Sequence, residues 1–207
     1  MPVWQCQQKS PLRRSVSSIR RFTSFQFGGG KISTSVAIDG SAGINQIVVN
    51  CLYKDLDASA WTFTNWVAVD RLTINGTLFG DDLTGSIRND LINGGDGNDT
   101  LRGLAGSDQI NGGAGIDRIS GGNGSDAING GTGGDTLSGG NGIDTVSYAG
   151  SASGVTINLG STWQFGGDAA GDRIDGFENV IGSSQSDRIQ GDGNINRLVG
   201  GNGADEL

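Results

Sequence analysis

From Gly76 to Ser147 the chain repeats one apolar position on a fixed nine-residue period. The aliphatic residues are Leu83, Ile92, Leu101, Ile110, Ile119, Ile128, Leu137 and Val146. Two residues before each stands an aspartate: Asp81, Asp90, Asp99, Asp108, Asp117, Asp126, Asp135 and Asp144. Most of what lies between is glycine. A short strict period carrying one apolar side chain per unit predicts a solenoid. Positions 7 to 9 of each unit predict a three-residue strand, with the aliphatic at position 8 turned inward. Glycines at positions 1, 2 and 4 permit positive φ and let backbone carbonyls converge on a point. Three residues bury no face alone, so the strands must stack about 4.7–4.8 Å apart on their equivalents from other units. Two units then make one coil with turns on alternating sides. Asp81, Asp99, Asp117 and Asp135 would line one edge, and Asp90, Asp108, Asp126 and Asp144 the other.

The best units run consecutively: GGDGNDTLR from Gly94, then GLAGSDQIN, GGAGIDRIS, GGNGSDAIN, GGTGGDTLS and GGNGIDTVS. GTLFGDDLT and GSIRNDLIN precede them in the same register. A flexible Gly/Asp linker would not hold an aliphatic at one offset through eight units. Carboxylate and carbonyl oxygens are hard ligands that suit Ca²⁺ at 2.3–2.6 Å. The chain has no histidine and only Cys6 and Cys51, which argues against zinc or copper.

The motif GGxGxDxUx resembles the RTX, or haemolysin-type, calcium-binding repeat. That resemblance implies an all-β fold, a right-handed parallel β-roll with strand-rich excursions. It also implies several calcium ions held between neighbouring turns by loop carbonyls and position-six carboxylates. Carried over, the carboxylates are Asp99, Asp108, Asp117, Asp126, Asp135 and Asp144, with Asp187 and Asp205 in a later block. Leu104 departs from the pattern at a second-glycine position. Thr77, Phe79, Ser86 and Arg88 do so in the two early units, which keep the rhythm without the glycine cradle.

The period fails after Ser147 and returns at Gly182 as GSSQSDRIQ, GDGNINRLV and GGNGADEL. Position six there holds Asp187, Asn196 and Asp205; Asn196 keeps an oxygen but not the charge. Within the break, GDAAGDRID places Asp172 and Ile174 at the same offsets. Earlier, GSAGINQIV reads as a degraded unit with Asn45 at position six and Ile47 at position eight. Val69–Leu72 and Phe177–Val180 match just before each restart. The expected organisation is a basic leader over 1–31, a degraded repeat with a β-rich excursion over 32–75, the core roll over 76–147, a second excursion over 148–181, and a second repeat block over 182–207. Trp61, Trp66, Trp163 and Phe165 lie in the excursions and read as caps on the apolar core. The block ends at Leu207 on position eight, which reads as part of a longer protein.

Charge sharpens this picture. Residues 1–31 carry six basic side chains and no acid, which leaves eight basic against 22 acidic in the rest, a charge of −14. A compact body so charged repels itself unless cations bind, and it does not suit nucleic acid. Without histidine, a Ser-His-Asp triad and an HExxH zinc site are excluded from this chain. No apolar run approaches the length of a membrane helix or an N-terminal signal peptide. The expected function is calcium binding by a non-enzymatic module of a secreted, extracellular protein, folding in calcium after export. The resemblance suggests type I secretion machinery as a partner. The rival is the repeat region of a secreted enzyme or toxin (protease, lipase, epimerase or haemolysin), or an adhesin or surface-layer spacer.

Overall fold

A computed structural model describes residues 25–27, 37–39, 46–51, 55–66 and 71–207. Two parallel sheets face each other, and from Asp82 to Ser147 the chain passes from one to the other every nine residues. One sheet has nine strands in the order Phe25–Phe27, Gln46–Cys51, Arg71–Asn75, Asp90–Asp96, Gln109–Ala114, Ala127–Thr132, Thr145–Ser147, Asn179–Ile181 and Arg197–Val199. The other has six: Asp55–Asp57, Asp82–Thr84, Thr100–Ala105, Arg118–Gly124, Thr136–Gly142 and Arg173–Asp175. The architecture is an all-β parallel β-roll, as the resemblance implies.

The core is one aliphatic side chain deep on each sheet. Leu83, Leu101, Ile119, Leu137 and Ile174 stack in register down one. Ile74, Ile92, Ile110, Ile128, Val146 and Val180 stack down the other. All are buried. The strands of the central block are longer than the three residues expected, running to six or seven. The reason is that the glycines of the following turn keep pairing, Gly113 with Gly95 and Gly131, and Gly122 with Gly140. Their positive φ does not break the ladder.

The early register also differs. Ile47 pairs with Leu72, and Leu72 with Asp90; Val49 and Ile74 take the line of Ile92. The position-eight place therefore belongs to Val49, and Leu72 fills a carboxylate's place with apolar bulk. Asn45, Val69 and Asp70 lie outside the described residues, as does the leader except for Phe25–Phe27, which pair with Val49–Cys51. Cys6 also lies outside them, while Cys51 is free and buried.

The segment after Ser147 does not leave the roll; it widens one side of it. Thr145–Ser147 is followed directly in its sheet by Asn179–Ile181, and Thr136–Ser138 by Arg173–Asp175. Antiparallel bridges, Trp163 to Arg173 and Phe165 to Thr156, add a strip beside Arg173, and Thr156–Asn158 pairs onward with Arg188–Gln190. Gln164 anchors the strip. It is fully buried, accepts the Asn158 amide at 2.7 Å and donates to the Ser161 carbonyl at 2.7 Å. Trp61 and Trp66 are buried, with the Trp66 ring 4.6 Å from that of Phe63, as the capping reading requires. Trp163 and Phe165 are exposed and cap nothing, because they flank the inward Gln164 on an extended strip and must point outward.

Candidate metal centre

In the six units from Gly94 to Ser147 each turn is built the same way. The position-six aspartate ends the turn just before the strand, and its carboxylate folds back under it. One oxygen, Oδ1, accepts the backbone N–H of the aspartate one coil earlier. Asp99 Oδ1 takes Asp81 N, Asp117 takes Asp99, and Asp135 takes Asp117, at 2.7–2.8 Å. On the opposite edge Asp108 takes Asp90 N, Asp126 takes Asp108, and Asp144 takes Asp126, each at 2.8 Å. The two rows of carboxylates are those the 18-residue coil implies.

The second oxygen is the chemically informative one. Oδ2 of Asp99, Asp108, Asp117, Asp126, Asp135 and Asp144 is buried without a hydrogen-bond partner. A neutral polar group so placed costs about 1–3 kcal/mol, and an anion more. Burial accordingly drives these carboxyls above the usual carboxylate range, to about 6 for Asp99 and Asp117 and about 8 for Asp108. Each accepted amide works against that rise, and neighbouring carboxylates add to it. Asp126, Asp135 and Asp144 are shifted in the same direction by the same first cause.

Oxygen atoms crowd this space. A Cβ placed on Gly112 would come within 2.3 Å of both Asp117 Oδ2 and the Gly130 carbonyl oxygen of the next coil. Only glycine fits, and what it leaves open is a gap faced by a carboxylate and a carbonyl. Among the described residues no three acidic, cysteine or histidine side chains cluster. That follows from the geometry, since each coil gives an edge one carboxylate and the remaining donors must be carbonyls. Such a donor set, all hard oxygen, fits Ca²⁺.

Position two sorts the turns. It has positive φ in Gly95, Gly113, Gly122, Gly131, Gly140 and Gly201, and also in Leu104. Leu104, a departure in sequence, thus adopts the glycine conformation, and Asp108 keeps its free oxygen. Asp187, expected among the ligands, is arranged differently. Ser183 donates N–H to Oδ2 at 2.7 Å and its hydroxyl to Oδ1 at 2.8 Å, while Val155 N–H also donates to Oδ1. Asp205 sits in an open turn, half-buried, with Oδ1 accepting Asp187 N at 3.0 Å. Asn196 Oδ1 is taken by the Asp192 amide at 2.9 Å.

Three residues complete the rows where the period is interrupted. Asp172 Oδ1 accepts Asp135 N at 2.8 Å, and its Oδ2 accepts the buried Tyr148 hydroxyl at 2.9 Å. Glu178 Oε2 accepts Asp144 N at 2.8 Å. Glu178 and Val180 keep the two-residue spacing of carboxylate and aliphatic, a signal that could have placed Glu178 in the row; nothing in the sequence pointed to Tyr148.

A family model described as RTX calcium-binding nonapeptide repeat (4 copies) matches residues 75–110, 111–146 and 167–207. These ranges cover more than half of the chain and include both blocks of turns. No curated protein matches the chain.

Proposed function

The chain belongs to the RTX calcium-binding nonapeptide-repeat family, and from that premise we propose that its roll is a calcium-dependent folding module of a secreted protein. The observation that carries the reading is the double row of buried, unpartnered Oδ2 atoms on Asp99, Asp108, Asp117, Asp126, Asp135 and Asp144. With loop carbonyls these would hold the ions, and Asp205 in its open turn would add a further ligand. A bound divalent cation neutralises carboxylates that otherwise repel one another in a body of charge −14. Binding free energy then adds to folding free energy. Where calcium is scarce, as in a cell interior, the chain stays open and fit for export through type I secretion machinery. In millimolar extracellular calcium it closes.

Far-UV circular dichroism tests this. In chelator the spectrum should be coil-like, and millimolar Ca²⁺ should produce a β signal. Mg²⁺ should not, because it demands tight octahedral geometry and gives up water reluctantly. A spectrum unchanged by Ca²⁺ would sink the proposal. Export is tested by recovering the protein from culture medium with and without a type I transporter; equal recovery would remove that part of the reading.

A further inference from the structure

We infer that the residue at position two of each nine-residue unit decides whether its turn is a calcium site: a serine or threonine there latches the position-six carboxylate and takes the ion's place. The inference rests on the calcium reading above and divides the turns into those that need metal and those that do not.

The latch has the same parts wherever it occurs. In the unit from Gly76, Thr77 donates its N–H to Asp81 Oδ2 at 2.7 Å and its hydroxyl to the same oxygen at 3.0 Å, while the hydroxyl accepts Phe79 N–H at 3.1 Å. In the unit from Gly85, Ser86 donates N–H to Asp90 Oδ2 at 2.6 Å and hydroxyl to Oδ1 at 3.1 Å, and accepts Arg88 N–H at 3.1 Å. In the unit from Gly182, Ser183 repeats the two bonds to Asp187 and accepts Gln185 N–H at 3.0 Å. A fourth unit uses a carboxylate in the hydroxyl's place. Asp192 N–H donates to Asn196, and Asp192 Oδ1 accepts Asn194 N–H at 2.8 Å.

None of these four position-two residues has positive φ, whereas Gly95, Leu104, Gly113, Gly122, Gly131, Gly140 and Gly201 all do. The two classes are therefore alternative backbone conformations. With negative φ the position-two amide is aimed at the carboxylate and bonds its Oδ2 in Asp81, Asp90 and Asp187. With positive φ the amide turns away, and in the six units from Gly94 to Ser147 the carboxylate oxygen is left buried and bare. A hydroxyl favours the first conformation by supplying a second donor to the aspartate and an acceptor for position four. Glycine admits the second without steric cost.

The latches bracket the metal-requiring block. Two latched turns, one per edge, precede Gly94. On the far side the row through Asp135 ends at Asp172, whose outer oxygen the Tyr148 hydroxyl already fills. Ser183 closes the next aspartate turn. The roll thus carries turns at Asp81, Asp90 and Asp187 that close without metal, beside coils that close only with it.

The test counts calcium bound per chain by equilibrium dialysis with atomic absorption, on the 207-residue chain, with circular dichroism to verify the fold. Ser86→Gly and Ser183→Gly should each bind about one ion more than the unsubstituted chain. Ser86→Thr, which keeps a hydroxyl, should bind the same number. Unchanged counts in both glycine variants, with calcium still bound, would overturn the latch and leave the calcium reading intact; no calcium on any variant would overturn both. Should a glycine variant fail to fold, the converse change Gly140→Ser is decisive. Loss of about one ion with the β spectrum kept supports the latch, and an undiminished count refutes it.

Discussion

Ile116 and Ile119 are three residues apart in one unit, yet the roll uses them oppositely. Ile119 is 3% exposed and sits in register between Leu101 and Leu137, while Ile116 is 62% exposed at the turn. Ile119→Ala removes three carbons from a core only one side chain deep. The strands on either side are fixed by their ladders, so the gap cannot close by collapse. The cost should lie at about 2–5 kcal/mol, the range for truncating a buried aliphatic residue. If folding is coupled to about six ions, one per bare carboxylate oxygen, that penalty is shared among six binding terms. Dividing by six times RT gives a calcium midpoint raised about 2- to 4-fold. Ile116→Ala should leave the midpoint in place. The assay is a calcium titration followed by circular dichroism on the two variants and the unsubstituted chain. Equal midpoints for Ile119→Ala and Ile116→Ala would refute the claim that the aliphatic row and the carboxylate rows fold as one unit.

Two further outcomes follow from single residues. Leu104 holds a φ of 83, a strained conformation for a branched side chain that costs on the order of 1–3 kcal/mol. Leu104→Gly should therefore raise resistance to urea in saturating calcium, and a loss of stability would show that the leucine's packing outweighs its strain. Burial, then the carboxylates of Asp81 and Asp55, pushes the Cys51 thiol up to about 12. Iodoacetamide at pH 8 should leave Cys51 unmodified in the folded chain and alkylate it in urea, with the site located by peptide mass. Because this thiol ionises at a lower pH when unfolded, its contribution to stability should fall as pH rises from about 9.0 toward about 12. Rapid labelling of the folded chain would contradict its burial.

The strongest local signal led to the strongest structural result. A nine-residue period with one aliphatic per unit leaves few ways to bury those side chains, so the stacked sheets, the inward Leu101–Ile119–Leu137 row and the two edges of aspartates were legible from spacing alone. Where the period is disturbed, spacing misleads. Ile47 looks like the position-eight residue, but Val49 takes the line of Ile92, because a strand with apolar residues at both 47 and 49 has two candidate registers. Trp163 and Phe165 look like core residues by type, and only the antiparallel pairing of their strip shows Gln164 pointing in and the aromatics pointing out.

The sequence by itself determined the coil length, the inward face and an all-oxygen donor set, since each follows from a residue type at a fixed offset along one strand. The tertiary structure decided which carboxylate oxygens are left buried without a partner. Asp117 and Asp187 occupy the same position in their units, and both accept an amide from a neighbouring strand. They differ because Ser183 turns its amide and hydroxyl onto Asp187, while the glycine conformation at position two leaves Asp117 Oδ2 buried and bare. That distinction depends on how a peptide plane is turned and on what the adjacent coils already supply, and it becomes visible only when the coils are stacked.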